Sequence, residues 1–141
     1  MRILSTKFHG ALDYLVGVVL LVLPWLSGFA GLNAATYVPV TSGIVIILYS
    51  FFTNYEMGVV KILPMRMHLM LDLWAGIVLA ASPWLWGFSS YVYMPHLLLG
   101  ILSLFVSLMT ETKPFEGKRS VDRGKYPYYH YHSGDVLRKD K

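Results

Sequence analysis

Two 21-residue segments of this chain are versions of each other. Residues 9–29 read HGALDYLVGVVLLVLPWLSGF, and residues 68–88 read HLMLDLWAGIVLAASPWLWGF. At a constant offset of 59 residues, His9/His68, Asp13/Asp72, Gly17/Gly76, Pro24/Pro83, Trp25/Trp84, Gly28/Gly87 and Phe29/Phe88 coincide. Matches at polar and special-backbone positions do not arise from shared hydrophobicity alone. A repeat at a fixed period sets the architecture before any local reading does.

The charge distribution says what kind of unit is repeated. No Asp, Glu, Lys or Arg occurs from Tyr14 to Tyr55 or from Leu73 to Thr110. Each desert is about two spans long, because one bilayer-crossing helix needs about 20 apolar residues. Only 14% of the chain is charged, against about 25% in soluble domains. The fold class read from this is all-α: an integral membrane four-helix bundle made of two tandem repeated helical hairpins. The helices are expected at about 8–29, 36–54, 66–88 and 93–111, within a membrane domain over 1–112. Repeat one covers about 8–55 and repeat two about 66–112. Pro39 and Pro95 fall near the expected starts of the second and fourth helices, where a missing N–H costs little. The second helices match more loosely, with Gly43/Gly100 and Thr53/Thr110 at an offset of 57. Small residues at spacings of four, such as Gly76 with Ala80 and Ser103 with Ser107, permit close helix packing.

Topology follows from the cations. Arg2 and Lys7 precede the first helix, Lys61 and Arg66 lie in the central loop, and eight Lys/Arg lie in the C-terminal tail. The two other loops carry none. By the positive-inside rule this places four spans with both termini in the cytoplasm. It also accounts for the net charge of +4 without any nucleic-acid partner. Met1 to Ala35 has the outline of a signal peptide. The internal counterpart of its helix argues against cleavage. There are no cysteines, which excludes disulfides, thiolate metal sites and cysteine nucleophiles. No phosphate-binding glycine loop, HExxH or nucleotide fingerprint is present. The tail, 113–141, is polar and Tyr-rich, and is expected to be disordered. Its His130 and His132 make a poor metal site without a fixed backbone.

The segment Ser82-Pro83-Trp84 with Gly87-Phe88, the upstream Asp72 and Gly76, and the two-copy layout resemble the SPW repeat family of small bacterial membrane proteins. The resemblance covers about residues 8–112. In the first copy Leu23 stands where Ser is expected. The resemblance implies a multi-pass membrane protein and carries no defined activity and no catalytic residues.

Two motifs stand out. Pro24, Trp25 and Gly28, with Ser82, Pro83, Trp84 and Gly87, read as a structural device at the outer helix ends. Proline frees a carbonyl, Ser82 can bond it, Trp anchors the interface and Gly supplies a left-handed cap. The sharper signal is His9-x3-Asp13 with His68-x3-Asp72. Residues four apart share a helix face, and both carboxylates fall about one turn inside the cytoplasmic boundary. Ionisable groups at that depth are functional candidates by default. They suit a lock within the bundle, a metal or haem site if they converge, or a station for proton transport. Transport needs an outer partner. His96 is the one candidate, and Val40 takes its place in the first repeat. The reading preferred is a non-enzymatic structural or interaction component with no cofactor. Its partners are the lipid bilayer and a second copy or a larger membrane complex.

Overall fold

The computed structural model describes residues 3–113. Four helices follow one another: α1 (Thr6–Leu26), α2 (Asn33–Phe51), α3 (Met65–Leu85) and α4 (Met94–Met109). α1 packs chiefly on α2 and α3 on α4, and α2 meets α3 between the two hairpins. This is the expected all-helical bundle of two hairpins. α1, α2 and α3 are long and apolar enough to cross a membrane, and α4 is a shorter apolar helix. Their outward faces carry large apolar side chains, among them Leu15, Val18, Ile44, Leu48, Trp74 and Phe105. Apolar exposure on this scale suits lipid rather than water.

The buried stripes of α1 and α3 follow the repeat. In α1 they are Thr6, His9, Gly10, Asp13, Gly17, Leu20 and Pro24; in α3 they are Met65, His68, Leu69, Asp72, Gly76, Leu79, Ser82 and Pro83. Spacings of three and four put each set on one helix face. The core has three levels. Tyr55, Met65 and Leu69 close one end. Leu20, Ile46, Tyr49 and Leu79 fill the middle. Phe29, Ala35 and Phe88 fill the other end.

Glycine pairs let the helices of each hairpin touch by backbone. A Cβ at Gly43 would lie 2.6 Å from the Gly17 carbonyl oxygen, and one at Gly100 would lie 2.7 Å from that of Gly76. The Gly43/Gly100 match between the second helices therefore has a packing cause.

Helix ends depart from expectation in a consistent way. α1 and α3 stop at Leu26 and Leu85, three residues before the expected 29 and 88. Gly28 (φ +74°) and Gly87 (φ +70°) take the left-handed conformation that ends each helix. The Phe29 N–H then donates to the Pro24 carbonyl at 2.9 Å, and the Phe88 N–H to that of Pro83 at 2.8 Å. Both Phe side chains turn into the core. Pro83 has no N–H for the Leu79 carbonyl, and Ser82 Oγ donates there instead at 2.7 Å. Leu23 brings no hydroxyl to the corresponding position in α1. The Pro–Trp–Gly motif thus acts as the expected helix terminator, with Trp25, Trp84 and Trp86 more than half exposed.

Pro39 corrects a second expectation. α2 begins at Asn33, not at 36, so Pro39 lies inside the helix. Its missing N–H frees the Ala35 carbonyl. His96 Nε2, from α4, donates to that oxygen at 3.0 Å. The imidazole is fully buried between the rings of Phe29 and Phe88. The substitution His96→Leu is expected to cost about 1–3 kcal/mol, because it strands a buried carbonyl. Adding Pro39→Ala should recover most of that loss by restoring the helix bond. Reversible unfolding in detergent of the single and double variants measures both.

Candidate functional site

Asp13 and Asp72 belong to helix faces that turn towards each other, and the two His-x3-Asp motifs meet. All four side chains are buried: His9 at 1% exposure, Asp13 at 8%, His68 at 0% and Asp72 at 3%. His9 Nε2 lies 3.0 Å from His68 Nε2. It lies 3.0 Å from Asp72 Oδ2 and 3.3 Å from Asp13 Oδ2. His68 Nε2 lies 3.0 Å from Asp13 Oδ2 and 3.2 Å from Asp72 Oδ2. The shorter contact of each imidazole is to the carboxylate of the other hairpin. The pairing is therefore crossed and reciprocal, with α1 holding α3 twice.

Two threonines orient the rings from behind. Thr53 Oγ1, at the end of α2, donates to the Tyr49 carbonyl at 2.6 Å. Thr110 Oγ1, at the end of α4, donates to the Val106 carbonyl at 2.6 Å. A hydroxyl has one hydrogen to give. Towards the imidazoles each threonine oxygen therefore accepts. His68 Nδ1–H donates to Thr53 at 2.8 Å, and His9 Nδ1–H donates to Thr110 at 3.0 Å. Each histidine takes its threonine from the other hairpin. Both Nδ1 atoms carry a hydrogen, and both Nε2 atoms face the carboxylates.

Short extended segments hold the threonines in place. The Leu4 N–H donates to the Met109 carbonyl at 3.0 Å, and the Glu111 N–H to that of Leu4 at 2.9 Å. At the corresponding place the Leu63 N–H donates to the Phe52 carbonyl at 2.9 Å, and the Asn54 N–H to that of Leu63 at 2.8 Å. The chain before α1 and the loop before α3 thus clasp the ends of α4 and α2. Thr6 Oγ1 adds a 2.6 Å hydrogen bond to Glu56 in that loop.

The carboxylates have further donors. Tyr49 Oη donates to Asp72 Oδ1. Ser50 Oγ donates to Asp13 Oδ2 at 3.3 Å. Ser103 Oγ, by contrast, donates to the backbone carbonyl of Asp72 at 3.2 Å and not to its carboxylate. Tyr55, in the central loop, tilts against the His68 ring at 5.6 Å and is almost fully buried. Burial pushes its phenol well above the ordinary tyrosine range, so it stays protonated. Gly10 is needed beneath it, because a Cβ there would run into the Tyr55 ring.

The four sequence candidates thus converge, and His9 and His68 face each other. Pro24, Trp25, Gly28, Ser82, Pro83, Trp84 and Gly87 lie at the opposite helix ends and do not join the cluster. Neither does His96. His130 and His132 lie outside the described residues. Tyr49 escapes a repeat-based reading of the site, having only Val106 at the corresponding position; Ser50 has Ser107 there, which donates to the Leu69 carbonyl instead of a carboxylate. Thr53 and Thr110 were visible as a matched pair without a stated role.

Taken together, the fold and this buried His/Asp cluster define a small helical membrane protein. A model of the SPW repeat domain matches residues 7–110, and the chain belongs to that family. No curated protein and no solved structure matches it. Removing one buried donor to a carboxylate costs about 1.5–3 kcal/mol. Tyr49→Phe should therefore lower stability in detergent by that amount, whereas Tyr14→Phe, whose hydroxyl meets the exposed Met57 carbonyl, should cost less than 1 kcal/mol.

Proposed function

We propose that this protein is a non-enzymatic structural component of the bacterial cytoplasmic membrane. On this reading it has four spans and cytoplasmic termini, and its His/Asp cluster latches two hairpins of duplicated origin into one unit. The observation that carries the reading is the crossed pairing of His9 with Asp72 and of His68 with Asp13. Removing one member of a buried pair strands a charge, so the hairpins cannot separate at low cost.

Other observations support the same reading. Lys7, Lys61, Arg66 and Lys113 all lie at the helix ends near the cluster, as the positive-inside rule requires for cytoplasmic termini. α4 has 16 residues, or about 24 Å, and fits as a fourth span where the bilayer thins locally. Transport is disfavoured because Leu20, Ile46 and Leu79 close the middle of the bundle between the cluster and His96. Enzymatic turnover is disfavoured because the cavity touching His9 and Asp13 is about 30 Å³. That is room for a water, against about 300–1,000 Å³ for ordinary ligand pockets. Two imidazole nitrogens 3.0 Å apart leave no space for a porphyrin between them, which counts against haem. The larger hollow between α2 and α3, lined by Val45, Leu48, Phe52, Met67 and Leu71, suits lipid chains or a helix of a second copy.

The test is a double-mutant cycle in detergent or nanodiscs. Asp13→Asn and Asp72→Asn should each destabilise by about 3–5 kcal/mol. The double variant should fall short of the sum by about 0.5–3 kcal/mol, since the two carboxylates share partners. Small, additive losses would contradict the latch. Proton flux in proteoliposomes that disappears in the same variants would instead establish transport.

A further inference from the structure

The cluster has a property that a latch does not require: its contacts are centred on a point rather than arranged in pairs. Five separations among His9 Nε2, His68 Nε2, Asp13 Oδ2 and Asp72 Oδ2 lie between 3.0 and 3.3 Å. One ligand atom from each of the four residues lies within 4.8 Å of every other. Four donors held about 2.0–2.1 Å from a central ion, at the corners of a tetrahedron, lie about 3.3–3.4 Å apart. Five of the six edges come close to that spacing, and the ligand atoms of the two carboxylates lie within 4.8 Å of each other. An N–H points one way, yet each Nε2 here has both carboxylate oxygens and the other imidazole nitrogen at bonding distance.

The atoms at the centre are also the right chemical kind. Thr53 and Thr110 hold hydrogens on both Nδ1 atoms, so an ion that displaces the Nε2 protons of the latch meets both Nε2 lone pairs. Second-partner hydrogen bonds of this sort fix the tautomer and ring direction of metal-bound histidine. The two carboxylates supply two negative charges, which one divalent cation neutralises. A neutral assembly is what a low-dielectric interior tolerates. Two imidazoles and two carboxylates, four nitrogen and oxygen donors in all, suit Zn²⁺, whereas Mg²⁺ and Ca²⁺ prefer six or more oxygen donors.

We propose that His9, His68, Asp13 and Asp72 form a structural binding site for one divalent transition-metal ion, with Zn²⁺ the best fit. It rests on the reading of this cluster as the join between the hairpins, and adds the ion at its centre.

The experiment uses the full chain without an affinity tag, stripped by chelator in mild detergent and titrated with Co²⁺ as a spectroscopic probe and with Zn²⁺ as competitor. The expected result is one Co²⁺ per chain, with the intense visible bands of a tetrahedral site and full displacement by one equivalent of Zn²⁺. His130→Ala/His132→Ala should leave that stoichiometry unchanged. Thr53→Val/Thr110→Val should weaken binding by about 10–100-fold, because it removes the groups that orient the rings and none of the donors. Asp13→Asn/Asp72→Asn should abolish it. A folded wild-type chain, helical by circular dichroism, that takes up no Co²⁺ or only the weak octahedral form would overturn the proposal. So would binding that vanishes with His130 and His132. Unfolding of the metal-free chain separates the two readings. If the aspartate variants destabilise a chain that binds no ion, the latch stands and the metal site falls. If one ion binds and those variants cost nothing without it, the metal site stands and the latch falls.

Discussion

The bundle depends on one electrostatic constraint: two carboxylates and two imidazoles are buried together inside it. Moving an isolated ion into such an interior costs several kcal/mol even after relaxation, and the cost is met only by close opposite charge and by hydrogen bonds to every remaining lone pair. His9, Asp13, His68 and Asp72 satisfy this by exchanging partners between hairpins. Thr53 and Thr110 complete the exchange, each serving the histidine of the other hairpin. The clasps from Leu4 and Leu63 to the ends of α4 and α2 then follow, because they fix the threonine backbones. One end of the molecule is thus a connected set in which each element holds the next.

The opposite end solves a different problem. There the constraint is the backbone, since in hydrocarbon every peptide group must find a partner inside the protein. Three prolines free three carbonyls, at Leu20, Ala35 and Leu79. The carbonyl of Ala35 is taken by His96 and that of Leu79 by Ser82. The left-handed glycines close the helices, and Phe29 and Phe88 turn inward to pack around His96. His96 is polar for a reason tied to Pro39, whose missing N–H frees the Ala35 carbonyl that His96 bonds. The middle of the bundle carries neither task and is filled by Leu20, Ile46 and Leu79, with glycine pairs drawing each hairpin tight.

The sequence showed the hairpins and the four polar residues because the repeat placed equivalent groups at equal depth. Their convergence was not readable. It depends on which face of α1 meets α3, and that is set by packing between hairpins. Helix ends were misread by about three residues because hydrophobicity continues through Gly28 and Phe29, while the chain has already turned. Pro39 was misread for the opposite reason at the start of α2, where Asn33 is polar yet belongs to the helix. Tyr49 was invisible because it breaks the repeat. Thr53 and Thr110 obeyed the repeat, but a threonine at a helix end has many uses, and only the imidazole beside it selects one.

The central claim is that the two histidines meet with both Nδ1 atoms protonated and both Nε2 atoms turned inward. Solid-state NMR of the ¹⁵N-imidazole-labelled protein in lipid bilayers tests this directly. The account predicts a strong Nε2–Nε2 dipolar contact between His9 and His68, consistent with their 3.0 Å separation, and Nδ1–H signals for both rings. Lack of that contact in the folded protein, or an unprotonated Nδ1 on either ring, would contradict it.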